Sequence, residues 1–288
     1  MAEKKQALLV FSKPPVPGMV KTRLTVKHGG FLTDEQAAEF FRRSLYDVSE
    51  ACMHALYELQ AANDAAVAAD PSVDKITYDF FVSTTPAENV ELMRETFEAI
   101  GPWPMEVHYL TDKGATFDDH FDDAFKQIFD LGYEHIVSVG GDIPTLPKSH
   151  IIQAFQWLDY FQSQGTPGFV MAPCQECGTS LVGANRETPI NHQGVYYNLD
   201  GKAALDAYME KIVEKDIPCA YFSPVADIDE RTDLAHAISC MRAIERAARY
   251  QPELFVPRRV LDWVDFMGIT VCTPPNEEHD PRQYIDEE

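Results

Sequence analysis

The stretch that decides the fold is Gln6-Ala7-Leu8-Leu9-Val10-Phe11-Ser12, followed by Lys13-Pro14-Pro15-Val16-Pro17-Gly18-Met19-Val20-Lys21-Thr22-Arg23-Leu24. Its first seven residues are a short apolar run, the pattern of a strand buried on both faces. Three prolines then end the strand and stiffen the loop, while Gly18 permits a turn at positive φ. Lys13, Lys21 and Arg23 place three cations within eleven residues. In an open α/β sheet, ligands bind beyond the carboxyl ends of strands, so a basic loop in this position is placed for chemistry.

Working outward, strand and helix patterns alternate. Thr33 and Gln36 form a capping-box pair ahead of Phe41, Leu45, Val48, Cys52, Leu56 and Leu59, which recur at helical spacing. Strands are expected at Ile76–Thr84, Met105–Leu110, Glu134–Val139, Phe169–Ala172, Ser180–Ala184 and Cys219–Ser223. Helices are expected beyond Pro86, over Phe117–Leu131, after Pro147, over Gly201–Lys215 and across Leu234–Ile244. This alternation predicts a doubly wound α/β fold with a mostly parallel sheet covered on both faces. Residues 1–249 are expected to form that domain. Residues 250–288, proline-rich and aperiodic, are expected to form an appendage with a frayed acidic end at Asp286-Glu287-Glu288.

Composition bounds the function. The chain has 288 residues, 45% of them hydrophobic, and no run near the ~20 apolar residues of a membrane span. Its N-terminus lacks a secretory apolar segment, and six cysteines in this length do not make a disulfide scaffold. A cytoplasmic protein with reduced thiols is expected. With 24 basic against 46 acidic residues the net charge is −22, which disfavours nucleic acid and membranes as partners. An anionic substrate then needs a local basic exception, and the loop from Lys13 to Arg23 is one.

From spacing alone this loop has two readings, a solvated basic turn or a phosphate site in which Lys21 and Arg23 face solvent and meet phosphate oxygens. No GxxxxGK[ST] pattern is present, which argues against an ATPase-type loop. A second candidate lies in Val137-Ser138-Val139-Gly140-Gly141-Asp142-Ile143-Pro144, where an aspartate follows an apolar strand. Asp142 is either an Asx-turn residue or a ligand for Mg²⁺, which favours one or two carboxylates together with substrate phosphates. A third is Asp227-Ile228-Asp229, whose carboxylates at i and i+2 point the same way along extended chain. Asp229 has an alternative role as the N-cap of the next helix, with Asp233 in its first turn.

The segment from Leu9 to Leu24 resembles the opening motif of the radical-SAM/selenodomain-associated transferases and, more loosely, that of the 2-phospho-lactate guanylyltransferases. Both belong to the nucleotide-diphospho-sugar transferase superfamily, with the glycosyltransferase-A fold. Residues 137–146 resemble the strand–glycine–Asp–x–Pro–x–Leu motif of these families, and Ala226–Leu234 resembles their closing DxDxxxDL signature. The resemblance spans about residues 6–245. It implies Phe11, Lys13, Pro14, Gly18, Lys21, Arg23 and Gly141 around a nucleotide. It also implies Asp142 and Asp227 as ligands of Mg²⁺ or Mn²⁺. Lys21 and Arg23 become the expected catalytic cations, stabilising charge at the α-phosphate or departing diphosphate.

The chain departs from the family pattern in two places. Asp118 and His120 stand where a glycine and an arginine are usual, and Glu176, Cys177 and Thr179 replace an aspartate, a glycine and a tyrosine. Cys174-x-x-Cys177 has no second ligand pair, so these are read as ordinary cysteines. No histidine spacing suggests a metal site. The leading expectation is a metal-dependent transferase using a nucleoside triphosphate or nucleotide sugar and a small-molecule acceptor, with nucleotidyl transfer favoured. A glycosyltransferase and a catalytically silent nucleotide-binding protein are the alternatives, and homo-oligomerisation is left open.

Overall fold

The structure is a computed structural model and describes residues 3–272. The acidic end Asp286-Glu287-Glu288 and the first two residues lie outside them. Seven strands form one sheet: β1 (Glu3–Phe11), β2 (Lys75–Thr84), β3 (Val107–Thr111), β4 (His135–Val139), β5 (Phe169–Pro173), β6 (Thr179–Asn185) and β7 (Cys219–Tyr221). Their order is β3-β2-β1-β4-β6-β5-β7. All neighbours pair in parallel except β6, which runs antiparallel to both β4 and β5. The expected doubly wound, mostly parallel α/β sheet is the one observed.

Side-chain alternation along β1 explains the two covering layers. Leu8 and Val10 enter one core with α1 (Asp34–Ala69), α2 (Val90–Glu98) and α4 (Lys148–Ser163). Ala7 and Leu9 enter the opposite core with α3 (Phe117–Asp130) and α5 (Ala204–Glu214). Helix α1 starts at the expected capping box, in which Gln36 N–H donates to Thr33 Oγ1 at 3.2 Å and Thr33 N–H donates to Gln36 Oε1 at 2.9 Å.

The stretch beyond Tyr250 is not wholly aperiodic. Helix α7 (Arg258–Phe266) buries Val260, Leu261, Trp263 and Val264 against α6 (Arg231–Ala247) and the start of α1. Its first turn is tied to α1 by Asp47, whose Oδ2 accepts from Val260 N–H at 2.9 Å and whose Oδ1 accepts from Arg259 Nη1 at 2.9 Å. Burial pushes the Asp47 carboxyl up to about 6, against the downward pull of Val260 N–H and Arg259. Since the folded value lies above the unfolded one, this group's contribution to stability is full below about pH 4 and is lost as pH rises through 6. Compared with wild type in unfolding titrations, Asp47→Asn is therefore expected to gain relative stability between pH 4 and 7. A pH-independent difference would contradict that.

Candidate active site

The sheet brings the candidate loops to one edge. The strand order reverses between β1 and β4, and ligands bind at such a switch point. The loops leaving β1, β2, β4 and β5 converge there, joined by the segment after β7, and antiparallel β6 begins at the same edge. A cleft of about 400 Å³ opens at this point, lined by Phe11, Ser12, Lys13, Lys21, Gly141 and Asp142, with Thr85, Phe117, Tyr196 and Asp227 among the other walls.

Lys21 occupies the centre of the charge cluster. Its Nζ donates to Asp142 Oδ2 at 2.7 Å and to Asp229 Oδ1 at 2.7 Å, and lies 3.5 Å from Asp227 Oδ1. Its side chain is only 4% exposed, so the expectation that Lys21 faces solvent is corrected. The turn Thr22–Leu24 begins from Lys21, whose backbone takes the left-handed conformation at φ 48°, and this directs the side chain inward past Phe41. Arg23 does face solvent and donates to Asp229 Oδ2 at 3.2 Å.

The carboxylates are held by local backbone. A Cβ on Gly140 would lie 2.7 Å from Asp142 Oδ1, and one on Gly141 would lie 2.8 Å from Leu45 Cδ1. Glycine at both positions lets the turn sit against Asp142 and Leu45 without displacing either side chain. Ile228 N–H donates to Asp142 O at 3.3 Å, linking the two aspartate segments, and Ile228 itself is fully buried. The apolar residue between Asp227 and Asp229 is thus sunk in the core, leaving the Asp227 carboxylate on the cleft wall and that of Asp229 against Lys21 and Arg23. Gln175 brackets Asp227 through its backbone N–H and carbonyl.

Asp229 is not the N-cap of α6. Glu230 is, and its partner Asp233 accepts from the backbone N–H groups of Asp229 and Glu230 at 3.1 and 2.8 Å. Asp229 is instead the third member of the carboxylate cluster, a role the sequence left open.

Electrostatics in the cluster are tightly linked. Burial pushes the Asp227 carboxyl up to about 7, helped by the Asp142 charge and opposed by Lys21. Burial alone would depress Lys21, but Asp142, Asp227 and Asp229 together outweigh it and hold the ammonium well above its ordinary range. One carboxylate oxygen from each aspartate lies within 4.8 Å of the others, the group among the described residues able to hold a metal ion. Hard oxygen donors at this spacing fit Mg²⁺ or Mn²⁺.

The remaining candidates divide by position. Phe11, Lys13 and Gly141 line the cleft, whereas Pro14 is buried and Gly18, at φ 77°, turns the loop outside it. Phe11 stacks edge-on against Phe117 and Phe121 at centroid distances of 5.2 and 5.0 Å. Of the departures from the family pattern, Asp118 is buried and accepts from the backbone N–H groups of Val195, Tyr196 and Tyr197. It is spent on positioning that loop, and Tyr196 from the same loop walls the cleft. His120 Nδ1 lies 2.7 Å from Asp112, and Thr179 Oγ1 lies 2.8 Å from the Tyr196 hydroxyl. Thr85 and Tyr196 were not foreseen. Thr85 carried one usable signal, its place just after a strand.

The family described as "Uncharacterized protein conserved in bacteria (DUF2064)" matches residues 69–199. Among solved structures, the chain is similar to a candidate nucleotide-diphospho-sugar transferase from Desulfovibrio desulfuricans G20. Identity is 19% and the TM-score 0.61, with 85% of this chain and 97% of the other covered. The fold is that of the nucleotide-diphospho-sugar transferases. A cytidylyltransferase from Leptospira borgpetersenii serovar Hardjo-bovis (strain JB197) is similar more loosely, at 14% identity and a TM-score of 0.47, over 88% of this chain and 97% of that one. No curated protein matches the sequence. Within this nucleotide-diphospho-sugar transferase fold, no helix among the described residues is long and apolar enough to cross a membrane.

Proposed function

We propose that this protein is a metal-dependent transferase acting on a nucleoside triphosphate or nucleotide sugar, with nucleotidyl transfer to a small-molecule acceptor as the favoured reaction. The observation that carries this reading is the meeting of Lys21, Asp142 and Asp227 in a cleft at the switch point of the sheet, with Asp229 joined to them through Lys21. The resemblance of the opening loop to the radical-SAM/selenodomain-associated transferases and the 2-phospho-lactate guanylyltransferases supports it.

In nucleotidyl transfer an acceptor oxygen attacks the α-phosphorus, the diphosphate leaves with the electron pair of the broken P–O bond, and the acceptor's proton passes to water. Asp142, Asp227 and Asp229 would hold the divalent ion, which neutralises phosphate charge. Lys13 on the cleft wall and Arg23 at its rim offer cations to the polyphosphate, and Lys21 offers a third when it leaves the carboxylates. Phe11 and Phe117 present apolar ring surface on the same cleft, suited to a base or ribose.

The test is a thermal-shift panel of nucleoside triphosphates and nucleotide sugars, each with and without Mg²⁺. Stabilisation by a triphosphate only with Mg²⁺ is the expected result. A response confined to nucleotide sugars would indicate glycosyl transfer. Metal-independent binding would remove the metal from the proposal.

A further inference from the structure

The Lys21 ammonium and any ion held by Asp142, Asp227 and Asp229 would draw on the same three carboxylates. Nζ sits 2.7 Å from Asp142 Oδ2 and from Asp229 Oδ1, and 3.5 Å from Asp227 Oδ1. Those three residues are also the group whose ligand oxygens all lie within 4.8 Å of one another. A Mg²⁺ ion binds oxygens at about 2.0–2.1 Å, closer than the ammonium's own contacts of 2.7 Å, so an ion among these carboxylates would crowd Nζ. Two cations cannot share that space, because overlap and repulsion act together.

Resting on the reading of this cleft as a metal and nucleotide site, we propose that Lys21 is an exchangeable cation: the ammonium holds the carboxylates until phosphate draws it off, and a divalent ion then takes its place. Three carboxylates face one ammonium, and Arg23 divides its reach between Asp229 and Glu176, so the cluster offers more oxygens than the ammonium can pair and a dication answers them better. Lys21 also lines the cleft beside Ser12, Lys13 and Gly140, so phosphate oxygens placed there lie within reach of its head group. After the exchange each charge has a partner again, ammonium on phosphate and dication on carboxylate. The apparent affinity for free metal is then the intrinsic affinity reduced by the small fraction of molecules in which Lys21 has withdrawn.

The experiment titrates Mn²⁺ alone into wild type, Lys21→Met and Lys21→Arg, with bound ion followed by paramagnetic resonance. Methionine keeps the apolar stem and removes the charge, while arginine keeps the charge. Lys21→Met is expected to bind Mn²⁺ at least about tenfold more tightly than wild type, and Lys21→Arg no more tightly than wild type. Inorganic pyrophosphate, after correction for its own Mn²⁺ complex, should raise the affinity of wild type more than that of Lys21→Met. Should Lys21→Met fail to fold, Lys21→Gln gives the same comparison, and melting in EDTA against Mn²⁺ reports the ion independently. Equal Mn²⁺ affinity in wild type and the neutral variant overturns the exchange while leaving the metal site standing. An equal pyrophosphate effect in both overturns the role of phosphate. If no form binds Mn²⁺ with or without pyrophosphate, the metal reading itself fails and the exchange with it.

Discussion

Replacing Asp142 by asparagine is expected to lower metal-dependent nucleotide affinity by roughly ten- to a hundredfold, the range for losing one charge-assisted contact of about 1.5–3 kcal/mol. The fold should hold. Asparagine fills the turn as readily as aspartate, and its side-chain carbonyl still accepts from Lys21, which donates to Asp142 Oδ2 at 2.7 Å in the wild type. Two carboxylates, Asp227 and Asp229, remain to neutralise the ammonium. The Asp142 charge is one cause of the raised Asp227 carboxyl, so removing it relieves a repulsion and melting temperature should stay level or rise. Titrating nucleotide binding against Mg²⁺ in both proteins decides the matter. Superimposable curves, where the wild type binds measurably, would refute Asp142 as a ligand.

Trp263→Ala is expected to destabilise the protein by about 3–5 kcal/mol, the usual cost of emptying a large aromatic site in a core. Trp263 is 3% exposed, and its ring lies 5.4 Å from that of Phe40 on α1. The same small core holds Leu24, at the end of the Lys21 turn, and Ile228, between Asp227 and Asp229. The substitution should therefore lower nucleotide affinity as well as melting temperature, although Trp263 is absent from the cleft walls. Chemical unfolding measures the first effect and ligand titration well below the melting point the second. A loss under about 1 kcal/mol would mean that α7 contributes little to the folded domain.

Much of this architecture was legible because it is local. Short apolar runs punctuated by proline and glycine marked the strands, and the Thr33–Gln36 pair marked the start of α1. The parts that were not legible depend on distant residues. Lys21 looks solvent-facing among prolines and polar neighbours, and only its packing against Phe41 and three aspartates from two other segments buries it. Helix α7 is short, follows Pro257 and carries charge on its outer face, so its apolar residues are too few to declare a period. The cap of α6 shifted by one residue because aspartate is the better capping type, yet Asp229 is drawn to Lys21 and Glu230 takes the cap. Asp118 read only as a carboxylate standing where a glycine is usual, because its partners lie more than seventy residues away, at Val195 to Tyr197.

The left-handed backbone at Lys21 has a consequence for how this chain tolerates change. A non-glycine residue at φ 48° carries a conformational cost of about 1 kcal/mol that glycine would avoid. Glycine at this position would also remove the buried ammonium. Its loss would leave Asp142, Asp227 and Asp229 without the cation they share, a cost of about 3–5 kcal/mol that outweighs the backbone relief. Position 21 therefore holds its side chain for charge in spite of its backbone, and relieving φ there is no route to a more stable fold. Stabilised forms of this protein are accordingly best sought elsewhere, at exposed apolar positions such as Tyr57 on α1 and Val213 on α5, apart from the ion pairs those helices carry.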